Sequence, residues 1–313
     1  MNTQNFQKQK HLLAPERTSY QYLATSLQYQ QGVTLLEMMV GLVIGLLVVA
    51  VAMGALMVSR SVTGTVSDAS GIQQQGSHIL RLVGSQLRQA GSLYLNPNPT
   101  AVASSANDVL SAVVFEIKAS AKDKGNSFDQ TNTLKGGADT ITTGFRRYED
   151  NVFFSSKAGA STDFLARNCL GAPANDSTDE RIESIFTFSD NNLRCAGNGS
   201  TAQPIAQNVA EFQVSYLVQT LVAGTGSNIQ RVKAADMPTD AADVRWRQVQ
   251  GVEVCFVLYG SELIDLKDIP KEARSYTNCD GQSKDLTELT GARKSRTHQL
   301  FRNTFQIRSQ GLI

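Results

Sequence analysis

Residues 32–58 read GVTLLEMMVGLVIGLLVVAVAMGALMV and determine how the rest of this 313-residue chain is arranged. From Met38 to Val58 the segment contains no charged side chain. As a helix it would be about 30 Å long, which is the thickness of a bilayer core. A buried helix of a soluble protein, the alternative, rarely lacks a polar face over this length. We therefore predict that this segment spans a membrane.

The acidic residue at the start of the apolar run separates three kinds of N-terminal segment. A secretory signal peptide is cut after its apolar region at small residues, whereas Ala50-Val51-Ala52 lies inside the run. A plain single-span anchor explains the length but not Glu37, because an ionisable residue in a membrane segment is costly and usually marks function. The third kind is a membrane segment in which the carboxylate at the start of the apolar run has a function.

The residues GVTLLEMMVGLVIGLL, 32–47, resemble the N-methylation motif of type IV pilins and type II secretion pseudopilins. The resemblance implies that a prepilin peptidase cuts between Gly32 and Val33, that Val33 becomes N-methylated, and that Glu37 is the fifth mature residue. It also implies that Glu37 pairs with the free amine at Val33 of a neighbouring subunit and so sets the axial register of the two helices. The chain departs from the family in its long leader and in Gly54, which stands where many pilins have proline.

Four segments follow from this interpretation. Residues 1–32 form a cytoplasmic leader that is removed, with basic side chains in agreement with the positive-inside rule. Residues 33–58 form the transmembrane helix, which becomes the filament core, and residues 59–91 continue it as an amphipathic helix. Residues 96–313 form a β-rich domain in the periplasm, later on the pilus or cell surface.

The amphipathic helix is predicted from apolar residues that mostly lie three or four positions apart. Glycines in this stretch lower its intrinsic helix propensity, so packing under the domain must keep it helical. Gly91, followed by Pro97 and Pro99, ends the helix. The apolar stripe consists of Val58, Val62, Val66, Ala69, Ile72, Ile79, Leu80, Val83, Leu87 and Ala90.

Beyond residue 96 the apolar pattern changes to a period of two, which indicates strands. The predicted strands are Ala112–Ile117, Thr140–Phe145, Ser184–Phe188, Glu211–Val218, Gly251–Tyr259 and Leu300–Arg308, and residues 120–138, 171–180 and 222–242 are predicted loops. The fold class is α+β, with one long helix packed on an antiparallel sheet.

The order of these segments resembles PilW-type minor pilins. The resemblance depends on LRLVGSQLRQAG at residues 80–91, on the strand 252–258, and on FRNTFQIR at residues 301–308. It implies a minor pilin that primes or caps pilus assembly and supports twitching motility, adhesion or DNA uptake. A large minor pseudopilin of a type II secretion system, a tip adhesin acting through long loops such as 222–242, and a membrane-anchored periplasmic enzyme are the alternatives.

The four cysteines, Cys169, Cys195, Cys255 and Cys279, all follow the membrane segment and contain no CxxC pair. This spacing argues against a structural zinc site and suits an oxidising compartment. Three pairings are possible, and unpaired buried thiols are the alternative to all of them. We favour Cys169–Cys195 and Cys255–Cys279, which close loops of similar size between cysteines nearest in sequence.

No sequence motif of a common enzyme class occurs: GxSxG, HExxH, a Walker loop and a dinucleotide fingerprint are all missing. We therefore predict no catalytic residue, no metal and no cofactor, and the net charge of +1 gives no reason to expect nucleic-acid binding. The expected partners are prepilin peptidase, the major pilin, other minor pilins, the inner-membrane assembly platform and the lipid bilayer.

Overall fold

The computed structural model describes residues 32–91, 93–95, 113–115, 118–119, 128–129, 133–177, 179, 181–222 and 226–307. The chain divides into two compact units, residues 1–57 and 58–313. The predicted leader up to residue 31 and the prolines Pro97 and Pro99 lie outside the described residues.

One helix, α1, covers Leu35–Gln89, close to the predicted helical segments 33–58 and 59–91. It ends where the N–H of Ala90 still donates to the carbonyl of Gln86 and Gly91 adopts φ 73°. Glycine is suited to this left-handed position because it has no Cβ to collide with the preceding carbonyl. The sequence-based prediction of the helix end at Gly91 is therefore confirmed.

The apolar stripe of α1 is buried only in its later part. Ile72, Ile79, Val83 and Leu87 belong to the core of the second unit. The first three members of the stripe, Val58, Val62 and Val66, remain exposed. Packing therefore covers less of the helix than periodicity predicts, because spacing identifies a face but not the length over which a sheet covers it.

The described strands are all paired antiparallel and belong to the second unit. They are β1 (Leu93–Leu95), β2 (Val113–Phe115), β3 (Lys118–Ala119), β4 (Phe128–Asp129), β5 (Leu134–Gly137), β6 (Thr140–Arg146), β7 (Glu149–Asn151), β8 (Thr162–Phe164), β9 (Arg181–Ser189), β10 (Asn192–Ala196), β11 (Gln203–Ala206), β12 (Val209–Val222), β13 (Gly226–Lys233), β14 (Val249–Leu263), β15 (Ser275–Thr277), β16 (Ser283–Asp285) and β17 (Arg296–Gln306). A one-turn helix, α2, covers Val244–Arg247.

Two larger sheets share one core with the helix. One has the strand order β11-β10-β9-β6-β5 and the other β13-β12-β14-β17. Ile79 and Val83 of α1, Phe186 of β9 and Val254 of β14 all belong to the same buried cluster. The predicted class, a long helix with an antiparallel β-rich domain, is confirmed, and the strands are divided between two sheets.

Strand β14 is buried on both faces. Val252, Val254, Phe256 and Leu258 lie in the cluster that contains the helix, as their shared face predicts. The alternate residues Cys255, Val257 and Tyr259 lie in a second cluster with residues from 264–300.

The predicted strand cores fall inside observed strands, but several other strands were predicted as loop. The predicted loop 222–242 contains β13, an edge strand whose residues are exposed except for the half-buried Val232. Such a strand has almost no buried face, so it lacks the alternation from which strands are predicted. The predicted loop 120–138 likewise contains β4 and β5. Ala112, Glu116, Ile117 and Arg308, at the ends of predicted strands, lie outside the described residues.

Candidate functional site

The predicted processing site lies just before the first turn of α1. Gly32, Val33 and Thr34 are not helical and are exposed, and α1 begins at Leu35. A peptide bond that precedes a helix is free of its hydrogen-bond ladder, so it is accessible to a peptidase. Among the described residues, no atom outside its immediate neighbours lies within 4 Å of the position that a Cβ at Gly32 would take.

Glu37 and Thr34 cap the helix reciprocally. The carboxylate oxygen Oε2 of Glu37 accepts hydrogen bonds from the backbone N–H and the hydroxyl of Thr34, both at 3.3 Å. The N–H of Glu37 donates to the Thr34 hydroxyl oxygen at 3.2 Å. This is the capping-box arrangement, in which two free N–H groups of the first turn are satisfied. A carboxylate in the first turn also interacts favourably with the helix dipole.

The apolar part of the helix has no covering protein surface in the described chain. Within the described residues, α1 is the helix that is long and apolar enough to cross a membrane, and none of its most apolar stretch is buried. The exposed side chains include Leu42, Ile44, Leu47 and Met53. A wide exposed apolar surface of this kind indicates insertion in a membrane or in an apolar assembly.

Comparison with protein families gives two matches. Residues 27–53 match the prokaryotic N-terminal methylation motif, and residues 177–309 match the family described as type IV pilus-assembly protein W. The chain is a type IV pilin of the PilW type.

Among solved structures, the pilin is similar to a type IV-like pilin from Thermus thermophilus. The two share 13% identity with a TM-score of 0.33, over 77% of this chain and 97% of that chain. At this identity and TM-score the likeness adds nothing to the assignment, which depends on the two family matches. Among curated proteins, none matches the chain significantly.

Membership of this family indicates, in general terms, where the pilin is anchored and what it contacts. Its motif and its apolar helix are those of a membrane-anchored prepilin, and they imply contact with prepilin peptidase and with other components of a pilus. Pilins of this family are structural proteins. Within the described residues, no three His, Cys, Asp or Glu side chains are placed to hold a metal ion.

The cysteines of the pilin lie in two disulfides, Cys169–Cys195 and Cys255–Cys279. These are the two pairings that sequence proximity favours. Their Cα atoms are 6.3 and 5.8 Å apart. The first joins the segment before β9 to β10, and the second joins β14 to the segment that covers its outer face.

Three features of the second unit were not found from the sequence. Asp68 of α1 accepts hydrogen bonds from the N–H and hydroxyl of Ser261, each at 2.9 Å, and so holds the end of β14. His298 is stacked on Tyr276, with ring centroids 4.5 Å apart. Phe153 and Phe154 are adjacent, exposed aromatic side chains. None of them belongs to a sequence motif, and the partners of Asp68 and His298 are distant from them in the sequence.

Proposed function

We propose that the chain is a minor pilin that is cut after Gly32, methylated at Val33, and assembled into a pilus through Glu37. The observation that carries the proposal is a carboxylate at the fifth position after Gly32, at the start of an exposed apolar helix. Hydrocarbon alone would make this acid costly. A neighbouring subunit's N-terminal amine would compensate the charge and fix the register of two helices.

The proposed role is the priming or capping of pilus assembly, with effects on twitching motility, adhesion or DNA uptake. The large second unit supports a minor subunit, because a bulky domain suits a filament end where lateral crowding is low. Residues 1–32 would be the cytoplasmic leader, 33–58 the membrane segment, 59–91 its amphipathic continuation and 96–313 the domain outside the inner membrane. The proposed partners are prepilin peptidase, the major pilin, other minor pilins and the inner-membrane assembly platform.

Processing is tested by replacing Gly32 with leucine in cells that contain a prepilin peptidase. We expect Gly32→Leu to accumulate as the uncut precursor, measured by intact mass, because the peptidase site requires a glycine there. Gly41→Leu is the matched control, since Gly41 also lies in open space on the same segment and should leave cleavage unchanged. A mature chain of normal mass from Gly32→Leu would contradict the proposed cut site.

Two substitutions separate the charge of Glu37 from its capping role. Glu37→Gln keeps an acceptor for Thr34 but removes the charge, whereas Thr34→Ala removes the capping hydroxyl but keeps the charge. We expect Glu37→Gln to reduce surface pili at least about tenfold and Thr34→Ala to reduce them little. The reverse order of effects would show that Glu37 serves its own helix and would overturn the register role.

A further inference from the structure

The hairpin β7–β8 displays two phenylalanines that the fold does not use. Phe153 and Phe154 are 92% and 84% exposed, and their rings lie edge to face with centroids 4.7 Å apart. Each exposed aromatic ring forgoes roughly 2 kcal/mol of burial energy. Single exposed apolar residues are common, but an adjacent aromatic pair is typical of a binding surface.

Hydrogen bonds hold the backbone on both sides of this pair. The N–H of Val152 donates to the carbonyl of Ser161 at 2.9 Å. The buried carboxylate of Asp163 accepts from the Ser155 hydroxyl at 2.8 Å and from the Ser156 N–H at 2.9 Å. The loop is therefore preorganised, which lowers the entropy lost when the rings bind a partner.

The surface around the pair is acidic. Glu149 and Asp150 of β7 and Asp176 are exposed. Between residues 147 and 177 no lysine or arginine is exposed: Arg147 is buried, and Lys157 and Arg167 are half-buried. A partner for the phenylalanine loop, defined here as residues 149–163, should therefore present positive charge.

The chain itself carries a complementary surface on α1. Helix residues after Asp68 include no acid, while His78, Arg81 and Arg88 are exposed there. A groove of about 420 Å³ opens on this face. It is lined by Ser70, Gln73, Gln74, Ser77, His78 and Arg81.

We propose that the phenylalanine loop of one copy docks in this helix groove of a second copy. The rings would pack on the Arg81 guanidinium and the His78 imidazole, while Glu149 and Asp150 neutralise the positive charge of Arg81. Because the two surfaces differ, the contact is heterologous, and each copy keeps one surface free for a further copy. The contact goes beyond the proposed function and requires neither cleavage at Gly32 nor the register role of Glu37.

The contact is tested on the full chain in neutral detergent by sedimentation velocity over a concentration series. We expect the wild-type chain to self-associate and F153S/F154S to raise the dissociation constant at least about tenfold, as for aromatic anchors at interfaces. Ile229→Ser is the matched control, because Ile229 is exposed on β13 of the same unit. Equal association of wild type and F153S/F154S, or no association of either, would overturn the proposal.

Exchange of charges identifies the second surface. R81E and E149K/D150K should each weaken association, and an equimolar mixture should restore a heterodimer, because the basic loop of one then meets the acidic groove of the other. If the mixture associates no more strongly than either variant alone, the helix groove is excluded as the docking site. Because α1 itself inserts in lipid, all variants should bind neutral or anionic vesicles. Weaker vesicle binding of F153S/F154S than of Ile229→Ser would instead assign the loop to a lipid surface and would overturn the proposed contact with a second copy. Unchanged Trp246 fluorescence would show that the variants are folded.

Discussion

At the scale of single residues, several polar side chains of this pilin have roles that depend on their neighbours. Glu37 uses Oε2 for both bonds to Thr34, so capping leaves the other oxygen for a cation. Asp68 holds Ser261 across 193 positions of sequence. A Cβ on the neighbouring Gly260 would overlap the Asp68 carboxylate, so a larger residue there would displace it. The chemistry of such a side chain predicts which contacts it can make, and the fold determines which of those contacts it does make.

His298 makes the stability of the second unit depend on pH. Its ring lies between Tyr259 and Tyr276, and burial lowers its pKa below 6.5, with a smaller contribution from Arg293. The unfolded chain therefore takes up a proton before the folded chain does. Stability should be complete above about pH 6.5 and fall as the pH decreases toward the lower folded pKa.

The test compares the pH dependence of the free energy of unfolding between pH 7 and 5, followed by Trp246, the single tryptophan. His298→Phe keeps a ring between the tyrosines but cannot be protonated, so we expect a flatter dependence than in the wild type. His78→Gln, at an exposed histidine, is the control and should retain the wild-type slope. An unchanged slope in His298→Phe would refute the assignment.

At the scale of elements, α1 and β17 fit together through two pairs of small and large residues. A Cβ on Gly76 would overlap the ring of Phe301, and one on Gly84 would overlap the ring of Phe305. Eight helical residues rise about 12 Å and four strand residues about 13 Å. The spacing of the two glycines along the helix therefore matches the spacing of the two phenylalanines along the strand. The glycines that weaken the helix by propensity are therefore the positions where the strand approaches it.

Alanine substitutions test this fit. Gly84→Ala should lower the free energy of unfolding by roughly 1–3 kcal/mol, because the ring of Phe305 is buried and has little room to move. Gly76→Ala should cost less, since Phe301 is only partly buried. Gly71→Ala meets no atom of the described part of the chain within 4 Å and should stabilise the helix by about 0.5–1 kcal/mol. Equal effects at Gly71 and Gly84 in urea unfolding would contradict the proposed fit.

At the scale of the whole second unit, two clusters share β14 as a common wall. The first cluster is closed by α1 and the first sheet. The second consists mainly of side chains from residues 255–300, among them Leu266 and Leu286, beside the disulfide Cys255–Cys279. Residues 264–289 contribute few apolar side chains of their own, so much of their order comes from the disulfide that links this part of the chain to β14.

Removing either disulfide should destabilise the pilin by a similar amount. The separations of 24 and 26 residues each correspond to roughly 3–4 kcal/mol in the chain-entropy model. We expect C255S/C279S also to make residues 264–289 sensitive to limited proteolysis, whereas C169S/C195S should leave that segment protected. Proteolysis at the same rate in both variants would show that the second cluster holds without its disulfide.

The sequence by itself determined the elements whose signal is local. The apolar run after Gly32 is continuous, α1 ends at a glycine, and the face Val252–Leu258 alternates, so each could be predicted from spacing alone. The tertiary structure alone decided the division into two sheets, the strand β13, the length of helix that is covered and the pairing of Gly84 with Phe305. The two sheets, the covered length of helix and the Gly84–Phe305 pair depend on contacts between residues far apart in the chain, which leave no periodic pattern in either partner. Strand β13 is different: it forms a hairpin with the neighbouring β12, and it was missed because it has almost no buried face and so shows no alternation.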